Sequence, residues 1–208
     1  LKQLYSMCEN LSTKRRKVAD EFESQLLQQL SDLGMDQTKF SVEIKSDKNN
    51  ISSDGFDEIE FLISPNPGEP LKPLAKIVSG GEMARIMLAF KTILADVDNI
   101  PTLIFDEIDV GISGRIAQIV AQKMAIISSS HQLICVTHLP QIAAMADRHF
   151  SIEKYTDEKR TYTTARVLHE GERQMELAKM LGDARLSKLS LDHALELISN
   201  SNAYKAKL

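Results

Sequence analysis

The stretch Val78-Ser79-Gly80-Gly81-Glu82-Met83-Ala84-Arg85, followed by Leu103-Ile104-Phe105-Asp106-Glu107, decides the fold. The first segment reads as a turn opening a helix. Its two glycines let a backbone approach a ligand closely, and the helix behind them points its free amides outward. Ser79 with Glu82 three residues on fits a plain capping box equally well. The second segment is an apolar strand ending in two adjacent carboxylates, which leaves them at the carboxyl edge of a sheet, where α/β proteins bind ligands. None of the nine glycines opens the phosphate-cradling pattern G-x-x-x-x-G-K-[ST].

Working outward, Met83, Ile86, Met87, Phe90, Ile93 and Leu94 predict a helix from Glu82 to Ala95 with one buried stripe. Thr102 to Phe105 is a continuous apolar run, suited to a strand covered on both faces. A helix over Arg115 to Ser128, a buried strand over Leu133 to Thr137 and a short helix over Gln141 to Ala146 follow. Strand, helix, strand at this spacing predicts a parallel α/β sheet. Upstream, Phe40 to Lys45 and Glu58 to Ile63 alternate apolar and polar residues, as an antiparallel pair joined by the polar segment Ser46 to Asp57. Ser64 to Pro70 and Pro73 to Val78 read as loops. Downstream, His149 to Lys154 and Thr161 to Leu168 predict a hairpin around Asp157-Glu158-Lys159. Helices over Glu172 to Leu181, stopped by Gly182, and over Leu186 to Ile198 complete the pattern.

Residues 1 to 33 read as one helix. Leu1, Leu4, Cys8, Leu11, Arg15, Val18 and Phe22 occupy a heptad seam, which then shifts by a four-residue step to Leu26, Leu30 and Leu33. Gly34 is its expected stop. A coiled-coil end and a single surface helix both fit this pattern. The expected division is a coiled-coil helix over 1–34, a globular lobe over 35–200 and a tail over 201–208. Opening at Leu1 rather than Met, the chain reads as a fragment.

With 43% hydrophobic and 26% charged residues, the 208-residue chain can bury a core. A net charge of −4 excludes a uniformly basic nucleic-acid glove, so any DNA contact needs a local patch. Lys14 to Lys17, Arg148 and Lys159-Arg160 are the basic candidates, and a solvated surface is their simpler reading. No apolar run approaches the length of a membrane span. Cys8 and Cys135 have no metal spacing, and Cys135 lies in an apolar strand as a buried structural thiol would, which fits a reducing cytoplasm.

Three side chains stand out chemically. Asp106 suits a Mg²⁺ partner, direct or outer-shell, and Glu107 suits a general base that positions water. Neighbours on a strand point to opposite sides, so the two acids can hold different jobs. A strand end meeting polar loop residues is the bland alternative. His138 closes the strand Leu133 to Thr137, which brings it to the same sheet edge; a satisfied polar group at a strand end explains a histidine equally well. His131, His149, His169 and His193 share no spacing and read as structural or surface residues.

Taken in order, Ser-Gly-Gly-Glu-Met-Ala-Arg, Phe-Asp-Glu-Ile-Asp-Val-Gly-Ile-Ser-Gly and Val-Thr-His-Leu-Pro-Gln-Ile-Ala resemble the C-terminal half of the RecN family, bacterial SMC-like ATPases of DNA double-strand break repair. The likeness runs from Leu1 to Ser199. Asp109 to Gly114 is its most specific part, with Ser113 where the D-loop of other SMC-type heads carries an acid. The resemblance implies the C-terminal lobe of an ABC/SMC-type P-loop NTPase head, α/β in class, with a coiled-coil helix in front. It implies ATP and Mg²⁺ as cofactors, Asp106 supporting the metal, Glu107 activating water and His138 holding the γ-phosphate. Ser79, Gly80, Gly81 and Glu82 would then contact the nucleotide of a second head in trans, and Ser113 and Gly114 would communicate across that dimer. The implied partners are an N-terminal Walker A lobe of the same protein, a second head, and DNA ends or single-stranded regions, with no membrane partner. The implied location is cytoplasmic and nucleoid-associated. An ABC transporter ATPase fragment and a non-catalytic interaction module are the competing classes, and without Walker A the chain alone is expected to be inactive.

Overall fold

A computed structural model of the chain describes all residues except 77–78, 96, 98–99, 158–159 and 184. Helix α1 (Lys2–Asp32) comes first, then strands β1 (Lys39–Ser46), β2 (Asp57–Ser64) and β3 (Lys72–Pro73), and helix α2 (Gly80–Leu94). There follow β4 (Thr102–Phe105), α3 (Gly114–Ser128), β5 (Gln132–Cys135), α4 (Pro140–Met145), β6 (Phe150–Thr156), β7 (Thr161–Val167), α5 (Glu170–Met180) and α6 (Lys188–Lys205). The chain divides into two compact units, residues 1–98 and 99–208. The first groups α1 with the strands and helix it packs on, where the sequence pattern had set residues 1–34 apart.

In the first unit α1 stops where its glycine permits. Gly34 takes φ +77, and the amides of Gly34 and Met35 reach back to the carbonyls of Ser31 and Leu30 at 3.0 and 2.9 Å. This double bond pattern satisfies carbonyls that the helix end would otherwise leave bare. β1 and β2 pair antiparallel, with Phe40 opposite Ile63 and Val42 opposite Phe61. Alternation puts Phe40 and Phe61 on one face, where they meet Phe22 of α1 and Phe90 of α2. Phe90 has its ring centroid 5.3 Å from Phe22, 5.8 Å from Phe40 and 5.6 Å from Phe61. Four rings on four elements thus form the hinge pin of this core, each pair worth about 0.5–1.5 kcal/mol beyond area burial.

The heptad seam of α1 splits into two sides. Cys8, Leu26 and Leu30 are buried, whereas Leu4, Leu11 and Val18 are exposed. The basic cluster splits as well. Arg15 donates to the Asp57 carboxylate at 3.1 Å and Arg16 to the Ser46 hydroxyl at 3.0 Å, so these two fasten α1 to the β1–β2 hairpin rather than forming a solvated face. Asp57, its side chain 1% exposed, also accepts from Ser12 at 2.9 Å and Ser46 at 2.7 Å. Glu23 accepts the Val42 amide at 2.6 Å and so occupies a donor on the outer edge of β1. The expected loop from Pro73 contains β3, paired with β2, and a 3₁₀ turn over Leu74–Lys76; Val78 lies outside the described residues.

In the second unit β4 and β5 run parallel, Phe105 opposite Cys135, with α3 as the crossover. The Val136 amide adds one more rung, to the Phe105 carbonyl at 2.9 Å. Coverage is one-sided, in contrast to the two-sided burial expected from the apolar run. Leu103 and Phe105 are buried, while Ile104 is 69% exposed and its partner Ile134 is exposed beside Val136. Beyond this sheet α4, α5 and α6 enclose a small core of Ala143, Ala144, Leu177, Ala178 and Ala194. Arg173 of α5 donates to the Ala144 and Ala146 carbonyls at 2.6 Å each, capping α4 from outside. Gly182, φ +91, ends α5 as expected. α6 continues through the stretch set aside as a tail, because Ser201 is buried and Lys205 pairs with Asp147 at 2.6 Å. β6 and β7 form the expected hairpin, largely exposed, with Tyr155 stacked on Tyr162 at 5.2 Å; Glu158 and Lys159 of its turn lie outside the described residues.

Candidate functional site

Parallel pairing of β4 and β5 sends both strand ends to the same edge. Asp106 leaves β4 there, and its Oδ1 accepts the Glu107 amide at 2.9 Å. Glu107 has φ +58, left-handed backbone that costs a non-glycine residue about 1–2 kcal/mol. This turn, rather than strand alternation, sets the directions of the two exposed acids, because β4 has already ended at Phe105. Ile108 then plunges into the core, fully buried, and Asp109 follows with a side chain 4% exposed.

Asp109 opens the stretch most specific to the resemblance, yet the sequence reading gave it no chemical role. Its Oδ2 accepts the Thr137 hydroxyl at 2.5 Å and the His138 amide at 2.8 Å, and lies 3.0 Å from His138 Nδ1. Leu139 in turn donates its amide to the Thr137 hydroxyl at 3.0 Å. Burial pushes the Asp109 carboxyl up, but the Thr137 hydroxyl, the His138 amide and the His138 ring together hold it below the usual carboxylate range. The His138 side chain itself is 73% exposed. A usable signal existed in the sequence: parallel strands in register should bring the loop after one strand against the Thr-His pair that ends the next.

Cys135 is half-buried and free. Burial first, then the nearby Asp109 and Asp106 carboxylates, push its thiol up to about 12, so it stays protonated and unreactive at neutral pH. Ser113 and Gly114 open α3 in the same unit. Ser113 sits at the N-cap in extended backbone without capping the helix through its side chain, and Gly114 has φ +53. Among the described residues no cluster of three or more His, Cys, Asp or Glu side chains forms a metal cage. A single exposed carboxylate such as Asp106 fits Mg²⁺, which is commonly held by one or two carboxylates with phosphate and water supplying the rest.

In the first unit Ser79 is the N-cap of α2, φ −78 and ψ 119, and its carbonyl accepts the Met83 amide at 3.0 Å. Its side chain makes no capping bond, so the capping-box reading of Ser79 and Glu82 is not realised. Ser79 and Gly80 are exposed at the mouth of the helix, Gly81 is buried and Glu82 half-buried. The exposed Ser79 and Gly80 therefore leave this helix N-terminus accessible to an anion.

No family model matches the chain. It is 42% identical over 198 residues to the DNA repair protein RecN of Halalkalibacterium halodurans, covering 94% of this chain and 35% of that protein. It is 46% identical over 193 residues to the DNA repair protein RecN of Treponema pallidum, covering 90% of this chain and 34% of that protein. Among solved structures it is similar to the Smc head domain with a coiled coil and joint of Pyrococcus yayanosii, at 20% identity and a TM-score of 0.53, covering 80% of this chain and 30% of that one. The chain thus spans about a third of the length of the relatives it matches, in their C-terminal part. An α/β chain that keeps this identity over nine-tenths of its residues, with the fold of an SMC head, belongs to the RecN family as a segment of its C-terminal region.

Proposed function

We propose that this chain is the C-terminal lobe of an ATP-hydrolysing head in a DNA repair protein. The observation that supports the reading is the parallel pairing of β4 and β5, which ends both strands, followed by Asp106-Glu107 and by His138, at one edge. ATP with Mg²⁺ would supply the phosphoryl group. Glu107 orients and deprotonates the attacking water, Asp106 holds the cation, and His138 meets the γ-phosphate. Ser79, Gly80, Gly81 and Glu82 present a helix mouth to the nucleotide of a second head, and Ser113 and Gly114 face that dimer. Phosphoryl transfer depends mainly on positioning and charge stabilisation, which so few side chains can provide.

The complement is an N-terminal lobe carrying Walker A. Its expected seat is supported by the open apolar face of Ile104, Ile134 and Val136, since a strand run this apolar suits two-sided cover. DNA ends or single-stranded regions remain the proposed macromolecular partner, in the cytoplasm at the nucleoid; no described helix is long and apolar enough to cross a membrane. In isolation the chain acts as a binding module, because the sequence lacks the G-x-x-x-x-G-K-[ST] loop whose amides and lysine hold phosphates. A transporter ATPase of the same fold is the less favoured class, given identity to RecN proteins over nearly the whole chain.

ATP turnover of the chain, alone and mixed with a separately made RecN N-terminal lobe, tests this. Turnover only in the mixture, abolished by Glu107→Gln, supports the reading. Unchanged turnover in Glu107→Gln removes the base assignment, and silence from lobes that demonstrably associate removes the enzymatic role.

A further inference from the structure

We propose that Asp109 is the positioning residue for His138, holding the imidazole by Nδ1 so that Nε2 is the nitrogen offered at the sheet edge. The proposal rests on the reading above only where it concerns phosphate. Two hydrogen bonds converge on one carboxylate oxygen, from the Thr137 hydroxyl at 2.5 Å and the His138 amide at 2.8 Å, and His138 Nδ1 lies 3.0 Å from the same oxygen as an ion pair. A ring nitrogen facing a carboxylate must carry the proton, because two lone pairs would otherwise oppose each other. In the neutral ring this leaves the Nε2 lone pair facing outward. In the doubly protonated ring it leaves an Nε2–H donor, whose charge the buried carboxylate balances. Nδ1 is occupied in both states.

The same oxygen also fixes the main chain from which the ring springs. The His138 amide is bonded to Asp109, and the Leu139 amide to the Thr137 hydroxyl that Asp109 accepts. With the carboxylate 4% exposed and the ring 73% exposed, the anchor sits inside and the working nitrogen outside. His131, by contrast, is buried with Nδ1 2.8 Å from the Ser130 hydroxyl, and presents nothing to the edge. Asp109 belongs to the turn that carries Asp106 and Glu107 and leads to Ser113. A shift of that turn therefore drags the ring of His138 with it, which makes the histidine's aim a function of the loop's position.

The tautomer can be read in this chain without nucleotide, by two-bond proton–nitrogen correlation of ¹⁵N-histidine at a pH above the ordinary histidine range. The expected result is an Nδ1–H ring at His138 in the native chain and a majority Nε2–H ring, the form an unpartnered histidine side chain prefers in water, in Asp109→Ala. Thr137→Val removes one donor and leaves the carboxylate, so its ring is expected to stay Nδ1–H. A folded Asp109→Ala chain that keeps the native pattern overturns the proposal. Should that variant fail to fold, Asp109→Val, which also leaves Nδ1 without an acceptor, is read the same way: loss of the Nδ1–H majority supports the anchor, and its persistence overturns it. In the complete protein Asp109→Ala is expected to lower kcat about 10–100-fold, as on loss of the partner that orients a metal-ligating histidine, with KM for ATP little changed. A shifted tautomer with normal turnover keeps the anchor and removes the phosphate role of His138. An unshifted tautomer removes the anchor whatever the turnover.

Discussion

Two buried aspartates, one in each unit, are used in opposite ways. Asp57 and Asp109 have side chains 1% and 4% exposed, and each accepts a hydroxyl and a nitrogen donor. Burial pushes both carboxyls up, and hydrogen bonds hold both below their ordinary range. The partners differ. Asp57 faces Ser12, Ser46 and Arg15, an arginine whose side chain is only 24% exposed, so the network closes on itself and stitches α1 to the hairpin. Asp109 faces a ring that is mostly in solvent. A buried carboxylate whose partners come from the elements it joins holds a structure together. One with an outward-reaching partner passes the rigidity of the core to a group at the surface.

The contrast can be broken first from the apolar side. Phe90→Ala removes the ring shared by three others, and a loss of about 3–5 kcal/mol is expected in denaturant unfolding of the first unit. A loss under half of that would mean that the polar stitch, not the aromatic pin, holds α1. Asp57→Ala should cost about 3 kcal/mol, since it strands Arg15 and two hydroxyls in a partly buried seam. The same carboxylate predicts an acid slope. Its folded value lies below the unfolded value of about 3.9, so its stabilisation is complete above that pH and is lost as pH falls through the folded value. Asp57→Asn should flatten this acid limb relative to the native chain, and an unaltered slope would exclude Asp57 as its source.

Smaller effects sharpen the second half of the comparison. Arg173→Met uncaps α4, and a loss of about 1–3 kcal/mol is expected, read by faster amide exchange at Ala144 to Ala146. Smallest is Glu107→Gly. Relief of left-handed strain is nearly balanced by the freedom glycine gains when unfolded, so stability should rise by only about 0.5 kcal/mol. A clear destabilisation would show that the Glu107 side chain earns its conformation through contacts rather than tolerating it.

Most elements were legible because local rules and packing agree. Alternation marked β1 and β2 with their partner faces, Gly34 and Gly182 stopped helices where left-handed backbone was needed, and the apolar run of β4 was found residue for residue. What stayed hidden depends on residues far apart. Ser12 and Arg15 look like heptad filler until Asp57 arrives from a different element. An apolar run announces that something should cover Ile104 but not which polypeptide does so. Ser199 to Asn202 has weak helix propensity, and only burial of Ser201 and the Lys205–Asp147 pair carry α6 through it. At the candidate site the strand ends, Asp106, Glu107 and His138 were readable. The Asp109 anchor was not, because it exists only once two strands share a register.

The stacked tyrosines of the β6–β7 hairpin have an optical consequence. The chain has no tryptophan and four tyrosines, so its intrinsic emission is tyrosine emission. Half of those fluorophores sit in one pair, 5.2 Å apart and within 18° of parallel, close enough to couple and to quench. Separation of Tyr155 from Tyr162 would brighten the whole molecule. The hairpin therefore carries its own unlabelled indicator of whether its two strands remain zipped.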